Sequence, residues 1–192
     1  IHQRQKVILE RLRELLGQHD IRIVPYTDLR AEEQAALREH FRTNIFPLLT
    51  PLALDPAHPF PLISNLALNL LVALRHPGGS AIHIARVKVP VAMDMAPRFL
   101  RVGDENVFVT QDDVIANNLD LLFPGMDIVS CELFRVTRNA IVEIEEEEAD
   151  DLLAMIETEL RHRHFAPIVR LEVYKGMNPT HRGMLAAELG LA

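Results

Sequence analysis

The sequence holds one cysteine, Cys131, among 192 residues. A single thiol excludes an intrachain disulfide and points to a reducing compartment. Positive charge is in short supply. Twenty lysines and arginines stand against 27 aspartates and glutamates, a net charge of −7. General nucleic-acid binding wants a basic face, so no nucleic acid is expected as a partner. No stretch approaches the roughly 18 consecutive apolar residues of a membrane span. There is no initiator methionine and no signal peptide, so the chain reads as an excised piece of a longer cytoplasmic protein. Fixed-period repeats and low-complexity tracts are absent as well. What is present is ordinary: 48% hydrophobic and 24% charged residues, enough for one domain with a smaller attached element.

Apolar residues at Val7, Ile8, Leu12, Leu15 and Leu16 recur at helical spacing. They predict a first helix, with Gly17 as its stop. Thr27 or Asp28 is the expected cap of a second helix through Leu37 and Phe41 to about Ile45, ending before Pro47. The two helices are expected to pair by their apolar faces. After a proline-rich segment the period changes. Residues 65–74 and 81–90 read as one hairpin around the turn at 76–79, and 98–102 with 106–110 as a second, turned by Gly103 and Asp104. Thr110 is the expected cap of a helix through Val114, Ile115, Leu119 and Leu122. Residues 127–138 form a long strand with Ile128, Ser130, Glu132, Phe134 and Val136 on one face. A helix follows from Glu145, then a strand over 167–174, then a short helix opened by Asn178-Pro179. The pattern is α+β: one mixed or antiparallel sheet with helices on one face, preceded by an N-terminal helical pair.

Candidate chemistry is sparse. The acidic run 143–151 lacks the glycine and spaced ligands of a calcium loop, and a solvated helix start is the plainer account. His162 and His164 are two apart, so a helix would point them to different faces. Asp55 and His58 resemble a catalytic pair, but no nucleophile accompanies them. Gly78-Gly79 is not part of a GxxxxGK[ST] phosphate loop. No Ser-His-Asp, Cys-His or zinc constellation is found, so neither a catalytic nor a metal site is expected.

Residues 41–74, FRTNIFPLLTPLALDPAHPFPLISNLALNLLVAL, resemble the long-form bacterial polyphosphate kinases that work through a phosphohistidine. The family pattern runs roughly IFPxLTPLAxDPxHPFPxxSNxSLNLxV, and the chain departs from it at Ala67, where serine is usual. The likeness continues at 85–90, 98–100, 130–140, 145–153 and 168–173. It implies an ATP:polyphosphate phosphotransferase whose C-terminal domains carry the phosphohistidine, the ATP contacts and the magnesium. On that resemblance residues 1–46 are the end of a helical N-terminal domain and 47–192 the head, or middle, domain. No catalytic residue transfers to this chain. ATP and magnesium are implied for the parent enzyme only. The implied partners are a homo-oligomer, dimer or higher, the catalytic C-terminal domains of the same chain, and polyphosphate. The implied location is cytoplasmic, free or membrane-associated. The alternative is a free-standing binding module with the same fold.

Two sets of residues follow. Asp55, His58, Pro59, Phe60, Pro61 and Asn65 are expected to build a stiff connector, because each proline fixes its own φ and restricts the residue before it. Leu52, Leu54, Phe60 and Ile63 would pin that connector to the core. Any affinity for polyphosphate must come from a local basic strip. Arg86 and Lys88 share a strand face, and Arg135 is the expected third member. Arg138 leaves Arg135's strand on the opposite face, where Glu132 would weaken it.

Overall fold

The computed structural model describes residues 2–55, 58–91, 97–103, 105–139 and 166–191. The acidic run, the helix expected after it, and His162 and His164 lie outside the described residues. Contacts divide the chain into two compact units, Ile1–Thr50 with Val89–Ile128, and Pro51–Lys88 with Val129–Ala192.

In the first unit, helix α1 spans His2–Gln18. Its apolar stripe does not bury: Val7, Ile8 and Leu12 are 61%, 56% and 48% exposed. The expected apolar pairing of the two N-terminal helices is therefore not found. An amphipathic stripe announces a partner without saying which. Helix α2, Ala31–His40, is capped at Arg30 rather than at Thr27 or Asp28, which sit in a 3-10 turn over Tyr26–Asp28. The Glu33 carboxylate accepts from the Arg30 backbone N–H at 2.8 Å, the reciprocal half of a capping box. The helix runs on through a π turn, Phe41–Ile45, in which Phe41 and Ile45 are buried.

Strands β5, Phe99–Val102, and β6, Val107–Thr110, form the expected antiparallel hairpin, and the two-residue β1, Arg22–Ile23, adds in parallel to β6. The helix expected after Thr110 is split into α3, Gln111–Ala116, and α4, Leu119–Leu122. Asparagine chemistry accounts for the break. Asn117 and Asn118 turn their amides onto the Asp113 and Val114 carbonyls, both at 2.8 Å, competing with the helical backbone pattern.

Asp113 sits just before that break and accepts from the Tyr26 backbone N–H at 2.6 Å. Burial pushes its carboxyl above the ordinary 3.8, neighbouring Asp112 and Asp28 add to the rise, and the Tyr26 and Asn117 donors oppose it. The folded state thus holds the Asp113 proton more tightly than the unfolded chain, and stability from this group falls as pH rises through the raised value. Asp113→Asn keeps an acceptor and removes the titration. Its stability relative to the parent chain should rise between about pH 3 and pH 6, read from urea midpoints. A difference that stays flat across that window would refute the burial effect.

The second unit is a five-stranded sheet in the order β2-β4-β3-β7-β8, where β2 is Leu52–Leu54, β3 Leu68–Arg75, β4 Ile82–Lys88, β7 Asp127–Arg138 and β8 Ile168–Val173. The α+β class and antiparallel hairpins are as expected, but the strands divide between two sheets rather than one. Every residue of β3 from Leu68 to Leu74 is buried, the mark of a strand covered on both faces. Helix α5, Pro179–Glu188, starts as Asn178-Pro179 predicts, with the Asn178 side chain accepting from Thr180 N–H at 2.8 Å. Ile63, Leu71, Phe134, Val136, Met177 and Leu185 make the core cluster, against which Leu54, Phe60 and Ile84 pack.

Candidate functional site

The connector enters this unit extended. His58 N–H donates to the Asp55 carbonyl at 2.9 Å, closing a turn. The His58 ring and Asp55 carboxylate lie 3.4 Å apart on the surface, where such a pair contributes little. Ile63 is fully buried and Phe60 half-buried, so these two pin the segment; Leu52, expected to help, is 39% exposed. Pro59, Phe60 and Pro61 line a groove of about 850 Å³ together with His83 from β4 and Met184 and Glu188 from α5. Among the described residues that line it there is no serine, threonine, cysteine or lysine. Among the described residues no group of histidine, cysteine and carboxylates could hold a metal ion.

Beyond the prolines the segment turns at Ser64–Ala67, with Leu66 at φ 59°. Four polar contacts converge on this turn and the start of β3. Asn65 Oδ1 accepts from the Arg138 backbone N–H at 2.8 Å. The Arg138 side chain donates to the carbonyls of Ile63 at 3.0 Å and Ala166 at 2.6 Å. Lys88 Nζ reaches Ser64 Oγ at 3.3 Å, and Arg86 Nε donates to Asn69 Oδ1 at 2.8 Å.

Register decides which cations share a face. Arg86 stands opposite Leu71, and Lys88 opposite Asn69; paired residues of antiparallel strands project from the same side. Leu71 belongs to the core cluster with Phe134 and Val136. That side of the sheet therefore carries Arg86, Lys88, Glu132 and Arg138. Arg135 projects from the other side, opposite Glu172, which takes both its Nε at 2.7 Å and its Nη2 at 2.6 Å. Arg170 adds a second guanidinium to the same carboxylate at 2.6 Å. So the structure does not bring the sequence-based set together: Arg86 and Lys88 share a side, and Arg135 faces away, with its guanidinium engaged by Glu172.

The sequence argument against Arg138 also fails. Glu132 shares its face but lies six residues along an extended strand, about 20 Å away, and is engaged elsewhere. Its Oε1 accepts from the Asn178 backbone N–H at 2.5 Å, and its Oε2 meets His181 Nδ1 at 2.5 Å. Arg86 and Arg138 are only 6% and 8% exposed, yet neither touches a carboxylate among the described residues. Burial alone holds both guanidinium groups below the ordinary arginine value, and they stay charged.

The arrangement brings two buried guanidinium groups and one exposed ammonium to a single segment of the chain. The model of the polyphosphate kinase middle domain matches residues 32–192. A polyphosphate kinase of Thermosynechococcus vestitus is 44% identical over 190 residues, covering 95% of this chain and 26% of that protein. The Synechocystis enzyme is also 44% identical and is matched by the whole chain over 28% of its own length. A polyphosphate kinase of Streptomyces coelicolor is 45% identical over 174 residues, 91% of this chain and 23% of that protein. The crystal structure of polyphosphate kinase from Porphyromonas gingivalis shares the fold, with a TM-score of 0.75 and 21% identity over 98% of this chain and 26% of that one. The chain thus spans about a quarter of the length of these relatives. With most of its length matched by that middle-domain model, the chain belongs to the polyphosphate kinase family.

Proposed function

We propose that this chain is the non-catalytic middle domain of an ATP:polyphosphate phosphotransferase, an enzyme that moves the terminal phosphate of ATP reversibly onto polyphosphate. The observation that supports it is the family match over residues 32–192. ATP and magnesium serve the parent enzyme outside this chain. Among the described residues there is no group of three or more histidine, cysteine and carboxylate side chains that could hold a metal ion, and the sequence has no GxxxxGK[ST] phosphate loop. The phosphohistidine likewise belongs to the catalytic C-terminal domains, which are partners of this unit within the parent. The proposed roles here are dimerisation and shaping of the polyphosphate path, in a cytoplasmic enzyme. Among the described residues no helix is long and apolar enough to cross a membrane. The exposed apolar residues of α1 are surface that a second copy or the rest of the parent would cover.

The test is enzymatic. The chain alone, given ATP, magnesium and polyphosphate, should yield neither ADP nor longer polyphosphate, while the parent enzyme should yield both. Phosphate on any of the nine histidines under those conditions would overturn the non-catalytic reading, and an inactive parent would overturn the activity.

A further inference from the structure

We infer that Arg86, Lys88 and Arg138, gathered around the turn Ile63–Asn69, form a binding site for a phosphate oxyanion, one unit of a linear polyphosphate. The inference rests on the proposed polyphosphate activity for the identity of the anion, but its geometry stands apart from it. Lys88 contacts Ser64 Oγ and Arg138 contacts the Ile63 carbonyl. Those are consecutive residues, whose Cα atoms are about 3.8 Å apart. Arg86 joins the same segment through Asn69.

The electrostatics call for an anion. Two arginines nearly out of water, with no carboxylate partner among the described residues, leave a buried positive potential that is costly unless an opposite charge is supplied. Arg138 is held by two backbone carbonyls, which fix its position and leave its charge unmatched. Arg86 uses only Nε, so its two terminal nitrogens have no partner among the described residues. Lys88 is at the exposed end of the group and opens it to solvent. The surrounding neutral groups add a donor in the Ser64 hydroxyl. A tetrahedral phosphate unit presents acceptor oxygens in several directions and can meet an ammonium, a guanidinium and a hydroxyl that approach from different sides. The site is a positioning surface for a chain of phosphates, on the side of the sheet away from Arg135.

Tripolyphosphate is the probe, titrated calorimetrically into the 192-residue chain without ATP, at low and at physiological salt. Binding is expected at low salt and should weaken as salt screens it. Lys88→Gln and Arg86→Gln should each weaken it about tenfold, the loss of one charged hydrogen bond. Arg135→Gln, on the other side, should change it less than about twofold, under 0.5 kcal/mol by the same conversion. Arg86 is buried and its variant can misfold; Lys88 is exposed, so its variant keeps the test decisive. Absence of binding at low salt would overturn the site, as would an Arg135→Gln loss equal to that of Lys88→Gln. A glutamate pentamer that displaces tripolyphosphate at equal concentration would assign the cluster to a peptide carboxylate instead and overturn the phosphate inference. This titration reads binding without catalysis, so it can fail while the parent remains an active kinase, and the parent can prove inactive while the chain still binds tripolyphosphate.

Discussion

Phe134→Ala is expected to destabilise the five-stranded unit by about 4 kcal/mol. Phe134 is 1% exposed in the middle of β7 and stands opposite Val173 of β8. Its ring fills the space between the sheet and α5, in one cluster with Ile63, Leu71 and Leu185. Each of those neighbours belongs to a different element, so none can follow an alanine inward without moving a strand or a helix. The cavity would stay open, and the cost is then the transfer of the ring plus the void it leaves. Phe60→Ala is the internal control. That ring is only half-buried at the edge of the same cluster, and its loss should cost about 1–2 kcal/mol. Urea unfolding followed by circular dichroism would read both. A Phe134→Ala loss below about 1 kcal/mol would show that the ring is not held in this cluster.

What was legible in the sequence is what is local. Alternation along 127–138 placed Glu132, Phe134 and Val136 on one face because the side-chain period of a strand is two wherever the strand sits. The two hairpins were readable because their turns lie between their strands. Arg135 was misplaced because its relation to Arg86 and Lys88 passes through β3, and the register across β3 is not written in either β4 or β7 alone. Arg138 and Glu132 share a face by the period of two, but that period says nothing of the distance along the strand that separates them. The buried state of Arg86 is not written in its own strand: β4 lies between β2 and β3, so Arg86 is flanked by Leu52 and Leu71 on the side of the sheet that carries the core cluster. The stripe on α1 was legible as apolar, but its partner was not, since amphipathicity is a property of one helix and packing a property of two. Within the connector the prolines foretold an extended path, and Ile63 and Phe60 do anchor it, whereas Leu52, on the same side as Leu54 but in the edge strand of the sheet, stays 39% exposed.

Glu132 is the second residue on which the fold should depend strongly, for a different reason. Its carboxylate is buried, and it holds the start of α5 at two points: the Asn178 N–H at the N-cap and the ring of His181 in the first turn. A carboxylate facing a helix N-terminus is also favoured by the backbone dipoles there. His181 and Leu185 are one turn apart on α5, so they project from the same face of the helix. Leu185 is fully buried in the core cluster; fixing His181 therefore fixes which face of α5 meets the sheet. Glu132→Leu would leave the Asn178 backbone N–H and the largely buried His181 ring without their acceptor. The expected cost is about 3 kcal/mol. Glu132→Gln keeps one carbonyl oxygen but turns an amide N–H₂ toward the other donor, and should cost about 2 kcal/mol. The double variant Glu132→Leu, His181→Leu removes one of the stranded donors along with its acceptor. Its cost should fall short of the sum of the two single variants by more than about 1 kcal/mol. Unfolding midpoints of the four proteins close the cycle. Strict additivity would mean that Glu132 and His181 do not act on each other, and that α5 is seated by its apolar face alone.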